Sequence, residues 1–166
     1  TKVFILEVMG RHAGWMAASS ALARIDQKDA PHIILLPEIR FNQIKFLNKV
    51  KDVVKRNGYC VIVASEGVKN SKGKFLAESD TRDAFGHSQL GGVAPYLGGL
   101  IFQKLNLKNH WAVSDYLQRS ARHISSKTDL LHAEAVGVHA VRYAMKGLNG
   151  VMPIIVRSNS EKYSWK

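Results

Sequence analysis

Short apolar runs alternate with helix-length segments in the first part of the chain, and no hairpin signal joins any two of them. Val3-Phe4-Ile5-Leu6, His32-Ile33-Ile34-Leu35-Leu36-Pro37 and Tyr59 to Ala64 read as strands. A helix from about His12 to Arg24, carried by the small-residue run Met16 to Ala23, separates the first two. A second helix precedes the third strand, with Ile44, Leu47, Val50 and Val54 spaced three and four apart, and stops at Asn57-Gly58. Successive strands joined by helices pair in parallel, because the crossover must return to the same edge of the sheet. The expected fold is therefore α/β, three-layered, a mostly parallel sheet with helices on both faces.

From Val68 to His87 the pattern breaks. Lys69-Asn70-Ser71-Lys72-Gly73-Lys74 is polar and turn-rich, and the stretch through Asp83-Ala84-Phe85-Gly86-His87 has neither period. Long connections of that kind in compact domains are often functional. Gly91-Gly92 then opens an apolar helix, Val93 to Leu105, with Pro95 near its start, where proline is tolerated. Trp111-Ala112-Val113 is a fourth strand candidate. Ser125-Ser126-Lys127-Thr128-Asp129 caps a long helix running to about Lys146 and closed by Gly147, and Pro153 to Val156 reads as a last strand before a polar tail.

Composition narrows the function classes. With 46% hydrophobic residues, 4 Pro and 13 Gly in 166 residues, the chain is one packed domain or part of a larger one. Its 24 Lys+Arg against 13 Asp+Glu give +11, which invites a nucleic-acid partner. The cations are dispersed, however, and the aromatics are not interleaved with them. The densest patch, Lys45, Lys49, Lys51, Lys55 and Arg56, falls on the solvated face of the second helix. Nucleic acid is not the expected partner, and the surplus charge suits phosphate esters equally well. No run reaches the ~20 apolar residues of a membrane span, and no signal peptide precedes the first strand, so a cytoplasmic protein without a membrane partner is expected. Cys60, in the run Tyr59 to Val63, reads as a buried inert thiol. His12, His87, His110 and His123 lack metal-ligand spacing, so no metal ligand is expected in this chain.

Polar groups of unlike type follow three of the strands. They are Met9-Gly10-Arg11, Ser65-Glu66-Gly67 and Tyr116-Leu117-Gln118-Arg119. In an open parallel sheet all carboxyl ends lie along one edge, so these segments converge. The turn at Gly10 also puts backbone N–H groups and a helix start at that edge, where an anion can sit. An arginine pair with a carboxylate suits a sugar phosphate: guanidinium forks take phosphate oxygens while a carboxylate accepts from hydroxyls. Each such bond contributes ~1.5–3 kcal/mol. Taken singly, each residue has a plainer reading. Gly10 closes a sharp turn, Arg11 and Arg119 are solvated cations, Glu66 sits in a turn, and Tyr116 packs.

In these residues the chain resembles the 6-phosphofructokinase family. Met9-Gly10-Arg11-His12-Ala13-Gly14-Trp15, Pro37-Glu38, Ser65-Glu66-Gly67, Gly86-His87-Ser88-Gln89-Leu90-Gly91-Gly92 and Tyr116-Leu117-Gln118-Arg119 match it in order. Many ATP-using bacterial members carry histidine at the place of Tyr116 and glycines after the arginine. Asp115-Tyr116-Leu117-Gln118-Arg119-Ser120 instead resembles the pyrophosphate-dependent branch, as does His-Ala-Gly-Trp in the first motif.

The resemblance implies a Rossmann-like second domain of the phosphofructokinase fold, with residues 1–166 forming the fructose 6-phosphate-binding half. Met9, Gly10 and Arg11 would hold the sugar, Glu66 its hydroxyls, and the segment Tyr116, Leu117, Gln118 and Arg119 its phosphate. The implied reaction is phosphoryl transfer from pyrophosphate to the 1-hydroxyl of fructose 6-phosphate, giving fructose 1,6-bisphosphate, in a homodimer or homotetramer. Family members carry the donor-phosphate loop, the Mg2+-binding aspartate and the proton-accepting aspartate upstream of the first strand seen here. None is found in this sequence, so no catalytic residue is expected in the chain and the chain alone is expected to be inactive. Two alternatives stay open: ATP as donor, and a non-catalytic sugar-phosphate-binding module.

Overall fold

The computed structural model describes residues 2–26, 28–82, 86 and 88–166, with only the backbone for 79–82 and 88–89. His87 and Asp83-Ala84-Phe85, singled out above, lie outside the described residues. The chain divides into two compact units, Thr1–Ser120 and Ala121–Lys166.

The first unit is built on a four-stranded parallel sheet. Its strands are β1 (Val3–Val8), β2 (Ile33–Leu35), β3 (Cys60–Ser65) and β6 (Asn109–Val113), in the order β2-β3-β1-β6. The register sets Ile5 between Ile62 and Trp111, and Ile33 beside Ile62. Side chains alternate across the pleat, so Val3, Ile5 and Glu7 share one face while Leu6 and Val8 take the other. Helices α2 (Gln43–Asn57) and α3 (Val93–Leu105) cover the first face, packing Phe46, Val50, Val53, Val93, Leu97 and Ile101 onto Val3, Ile5, Cys60 and Ile62. Helix α1 (Trp15–Ser19) covers the second, with Ala17 against Val8 and Val63. This is the expected three-layer α/β arrangement. Ile5, Ile62, Leu97 and Ile101 are fully buried, and each contributes roughly 1.5–3 kcal/mol from apolar burial.

Several expected elements come out differently. The first helix begins at Trp15 and passes into a 3-10 turn at Ser20–Ala23, shorter than the expected His12 to Arg24. Only Ala17 on it is buried, so packing does not extend it. On α2 the seam is Phe46, Val50 and Val53, with Leu47 and Val54 at its margin, and Ile44 points to solvent. The larger Phe46 takes the inward place and meets the Phe41 ring at 5.2 Å. Lys45, Lys49, Lys51, Lys55 and Arg56 are exposed, as expected. Within the segment read as patternless, β4 (Glu78–Arg82) and β5 (Ser88–Leu90) pair antiparallel. A backbone ladder needs no apolar alternation, so Glu78-Ser79-Asp80-Thr81-Arg82 carries no periodic signal.

Cys60 is buried, and burial pushes its thiol up to about 12. It is therefore expected to resist iodoacetamide at pH 8 in the folded protein and to be alkylated only after denaturation. Intact-mass spectrometry reads this, and modification of the native protein within minutes would contradict the burial.

In the second unit, α5 (Lys127–Met145) starts at Ser126, whose Oγ accepts from the Asp129 N–H at 3.0 Å. Pro153 to Val156 does not form the expected strand. Val156 and Lys166 exchange backbone hydrogen bonds at 2.9 and 3.0 Å, so this stretch pairs with the chain's own tail. His132 packs edge-on against Trp165 at 4.6 Å and shares a hydrogen bond with Tyr163 Oη at 3.2 Å. Among the described residues no helix is long and apolar enough to cross a membrane.

Candidate functional site

Parallel pairing brings the carboxyl ends of all four strands to one edge of the sheet. The turn after β1, Met9 to Gly14, lies at the middle of that edge, and its neighbours hold it by side chain. Gln118 Oε1 accepts from the Met9 N–H at 2.8 Å, and Glu66 Oε1 accepts from the Gly10 N–H at 3.2 Å. Ser65 Oγ donates to the Gly10 carbonyl at 2.6 Å and accepts from the Gly67 N–H at 3.2 Å. Glu38, three residues past the strand-ending Leu35, accepts from the Gly14 N–H through Oε1 at 2.7 Å. Three of the backbone donors of this turn, on Met9, Gly10 and Gly14, are thus engaged within the protein.

The close approach of the two central loops needs Gly67. A Cβ there would lie 2.0 Å from the Arg11 carbonyl oxygen and 2.7 Å from that of Gly10. Gly10 itself has φ +138°, and a Cβ on it would meet the Ala13 carbonyl oxygen at 2.6 Å. Arg11 follows it, half-buried beside this contact.

Of the expected ligand residues, Met9, Gly10, Glu66 and Gln118 are joined by direct hydrogen bonds. Tyr116 and Arg119 meet each other, with the guanidinium carbon 5.9 Å from the ring centroid. They flank Gln118, with Arg119 and Gln118 on the one-turn helix α4 (Leu117–Ser120), so Gln118 ties this segment to Met9. Gln118 also donates through Nε2 to Met16 Sδ at 2.8 Å, so both ends of its amide are occupied. Leu117 is on the same turn with its side chain exposed.

Three residues with no assigned role prove to shape the site: Ser65, Glu38 and Glu7. Glu7 is 1% exposed on the core face of β1 and accepts from the N–H groups of Gly92 at 3.1 Å and Ala94 at 2.8 Å, at the start of α3. Burial raises its pKa above the ordinary carboxylate value, and the nearby charge of Glu66 adds to the rise. The sequence signal was available: the period of two that buries Val3 and Ile5 also buries residue 7. Among the described residues no group of three or more His, Cys, Asp or Glu could hold a metal ion.

A family model described as phosphofructokinase matches residues 1–144. The pyrophosphate--fructose 6-phosphate 1-phosphotransferase of Xanthomonas campestris pv. campestris is 56% identical over 167 aligned positions, which take in 100% of this chain and 40% of that protein. Among solved structures, the pyrophosphate-dependent phosphofructokinase from Marinobacter aquaeolei superposes with a TM-score of 0.78 at 49% identity, covering 100% of this chain and 38% of that one. The corresponding protein from Nitrosospira multiformis gives 0.76 at 50% identity, with 100% and 38% covered. The chain spans about two-fifths of the length of these relatives.

Proposed function

This chain belongs to the phosphofructokinase family, and from that premise we propose that the full-length protein transfers a phosphoryl group from pyrophosphate to the 1-hydroxyl of fructose 6-phosphate, this chain holding the acceptor sugar. One observation carries the reading: side chains following two different strands bond to the consecutive N–H groups of Met9 and Gly10, bringing Glu66 and the Tyr116–Arg119 segment to the same turn. Similarity to relatives named for pyrophosphate supports the donor.

In this reading Met9, Gly10 and Arg11 frame the sugar. Glu66 keeps Oε1 on Gly10 and offers Oε2 to a sugar hydroxyl. Arg119, backed by the Tyr116 ring, takes the sugar phosphate, as a planar fork does in preference to a point charge. Phosphoryl transfer is largely positioning and charge stabilisation, and this chain supplies the positioning of the acceptor. Among the described residues there is no cluster of three or more His, Cys, Asp or Glu to hold a metal by protein ligands alone. In this reading the metal ligands, the donor loop and the proton-accepting aspartate belong to the part of the relatives' length that this chain does not span. A cytoplasmic homodimer or homotetramer completes the reading.

Steady-state kinetics on the full-length protein test it. Arg119→Ala and Glu66→Gln are each expected to raise KM for fructose 6-phosphate about tenfold or more, the equivalent of one lost charge-assisted bond, with KM for pyrophosphate within twofold of wild type. A change confined to the donor constant would contradict the role assignments. Turnover with ATP in place of pyrophosphate would overturn the donor.

A further inference from the structure

Segments following three other strands hold the turn after β1, and two of the three, those of Glu66 and Gln118, are already given to the sugar. The third is not. Glu38 reaches across from the end of β2, and its Oε1 accepts from the Gly14 N–H at 2.7 Å. This tether closes the far end of the turn, while Gln118 and Glu66 close the near end at Met9 and Gly10. Arg11 sits between the two anchor points. The fit around Gly14 is close: a Cβ there would lie 2.8 Å from Glu38 Oε2, 2.8 Å from Leu36 Cδ2 and 3.1 Å from Pro37 Cδ. Gly14 is buried, and its carbonyl accepts from the Ala18 N–H at 2.8 Å, so the same residue links the turn to α1.

We infer that Glu38 is a positioning residue for the acceptor site, fixing the Gly10–Gly14 turn, and with it Arg11, without touching the sugar. The inference rests on the proposed acceptor role of that turn. A carboxylate accepting from a backbone amide makes a charge-assisted bond. Losing it frees one end of a turn whose placement sets the reach of a guanidinium, and small displacements of a binding group weaken a site steeply.

The test uses the full-length protein. Glu38→Ala is expected to raise KM for fructose 6-phosphate about tenfold while KM for pyrophosphate stays within twofold, and Glu38→Gln, which keeps an acceptor oxygen at the same place, is expected to recover most of the loss. In parallel, hydrogen–deuterium exchange of the peptide spanning residues 9–16 should be about tenfold faster in Glu38→Ala than in wild type and close to wild type in Glu38→Gln. Unchanged exchange and unchanged kinetics in Glu38→Ala would overturn the inference. So would an equal rise in both Michaelis constants that Glu38→Gln fails to relieve, because that marks a general loss of fold. If the wild type proves not to use fructose 6-phosphate, the functional reading fails, while the exchange arm still decides whether Glu38 holds the turn.

Discussion

Gly67→Ala is expected to cut kcat/KM for fructose 6-phosphate by about a hundredfold or more and to lower stability by about 1–3 kcal/mol. The new Cβ would stand 2.0 Å from the Arg11 carbonyl oxygen, 2.6 Å from its carbonyl carbon and 2.7 Å from the Gly10 oxygen. All three are backbone atoms, so no side chain can swing aside to make room. The loops after β1 and β3 must separate, and the Gly10–Glu66 and Gly10–Ser65 hydrogen bonds are lost together. Kinetics and urea denaturation read the two effects separately. A Gly67→Ala protein with wild-type constants would mean that the two loops do not approach as closely as described.

Glu7 is expected to dominate stability at the same edge. Glu7→Ala removes both acceptors that serve the first N–H groups of α3 and leaves a cavity beneath them, with an expected loss of about 3 kcal/mol. Its pH dependence has a definite sign. Burial raises the folded-state pKa above the ordinary 4.5, so the folded protein holds this proton more tightly than the unfolded chain. The contribution is then complete below pH 4.5 and declines as pH climbs through the raised value. The stability difference between wild type and Glu7→Gln, which cannot ionise, should therefore shrink from pH 4.5 to pH 7. Urea midpoints for the two proteins across that range give the answer, and a difference that grows with pH would show the carboxylate to be stabilised as the anion.

The layered fold was legible because its signals are local. A parallel strand covered on both faces is a short apolar run, and a crossover helix announces itself by spacing, as in Val3 to Leu6, Tyr59 to Ala64 and the helix ending at Gly58. Convergence of Met9, Glu66 and Gln118 followed from topology alone. Less legible was which atoms would be spent within the protein. Turn chemistry leaves backbone donors open at Met9 and Gly10, whereas neighbouring strand ends fill them, a tertiary fact that no local pattern encodes. Ile44 and Phe46 show the same limit at the level of packing. Both are apolar and two residues apart, so periodicity admits either, and the fit against Phe41 and Val50 decides. The β4–β5 pair gives no signal in the sequence because Glu78-Ser79-Asp80-Thr81-Arg82 has no apolar alternation. Pro153 to Val156 has the apolar, short pattern of a sheet strand, yet Val156 exchanges its backbone hydrogen bonds with Lys166.

The side-chain hydrogen bonds from Gln118, Glu66, Ser65 and Glu38 to the turn after β1 span 109, 56, 55 and 24 residues of sequence. Contacts of such separation form only after the intervening chain has closed its loops, so the recognition surface is assembled late in folding. A one-residue slip of any contributing strand would displace the segment that follows it and leave the turn unanchored. On the function proposed above, affinity for the sugar would then work as a proofreading signal: only chains with every strand in place would display it, and fructose 6-phosphate supplied during refolding would draw on that finished population alone.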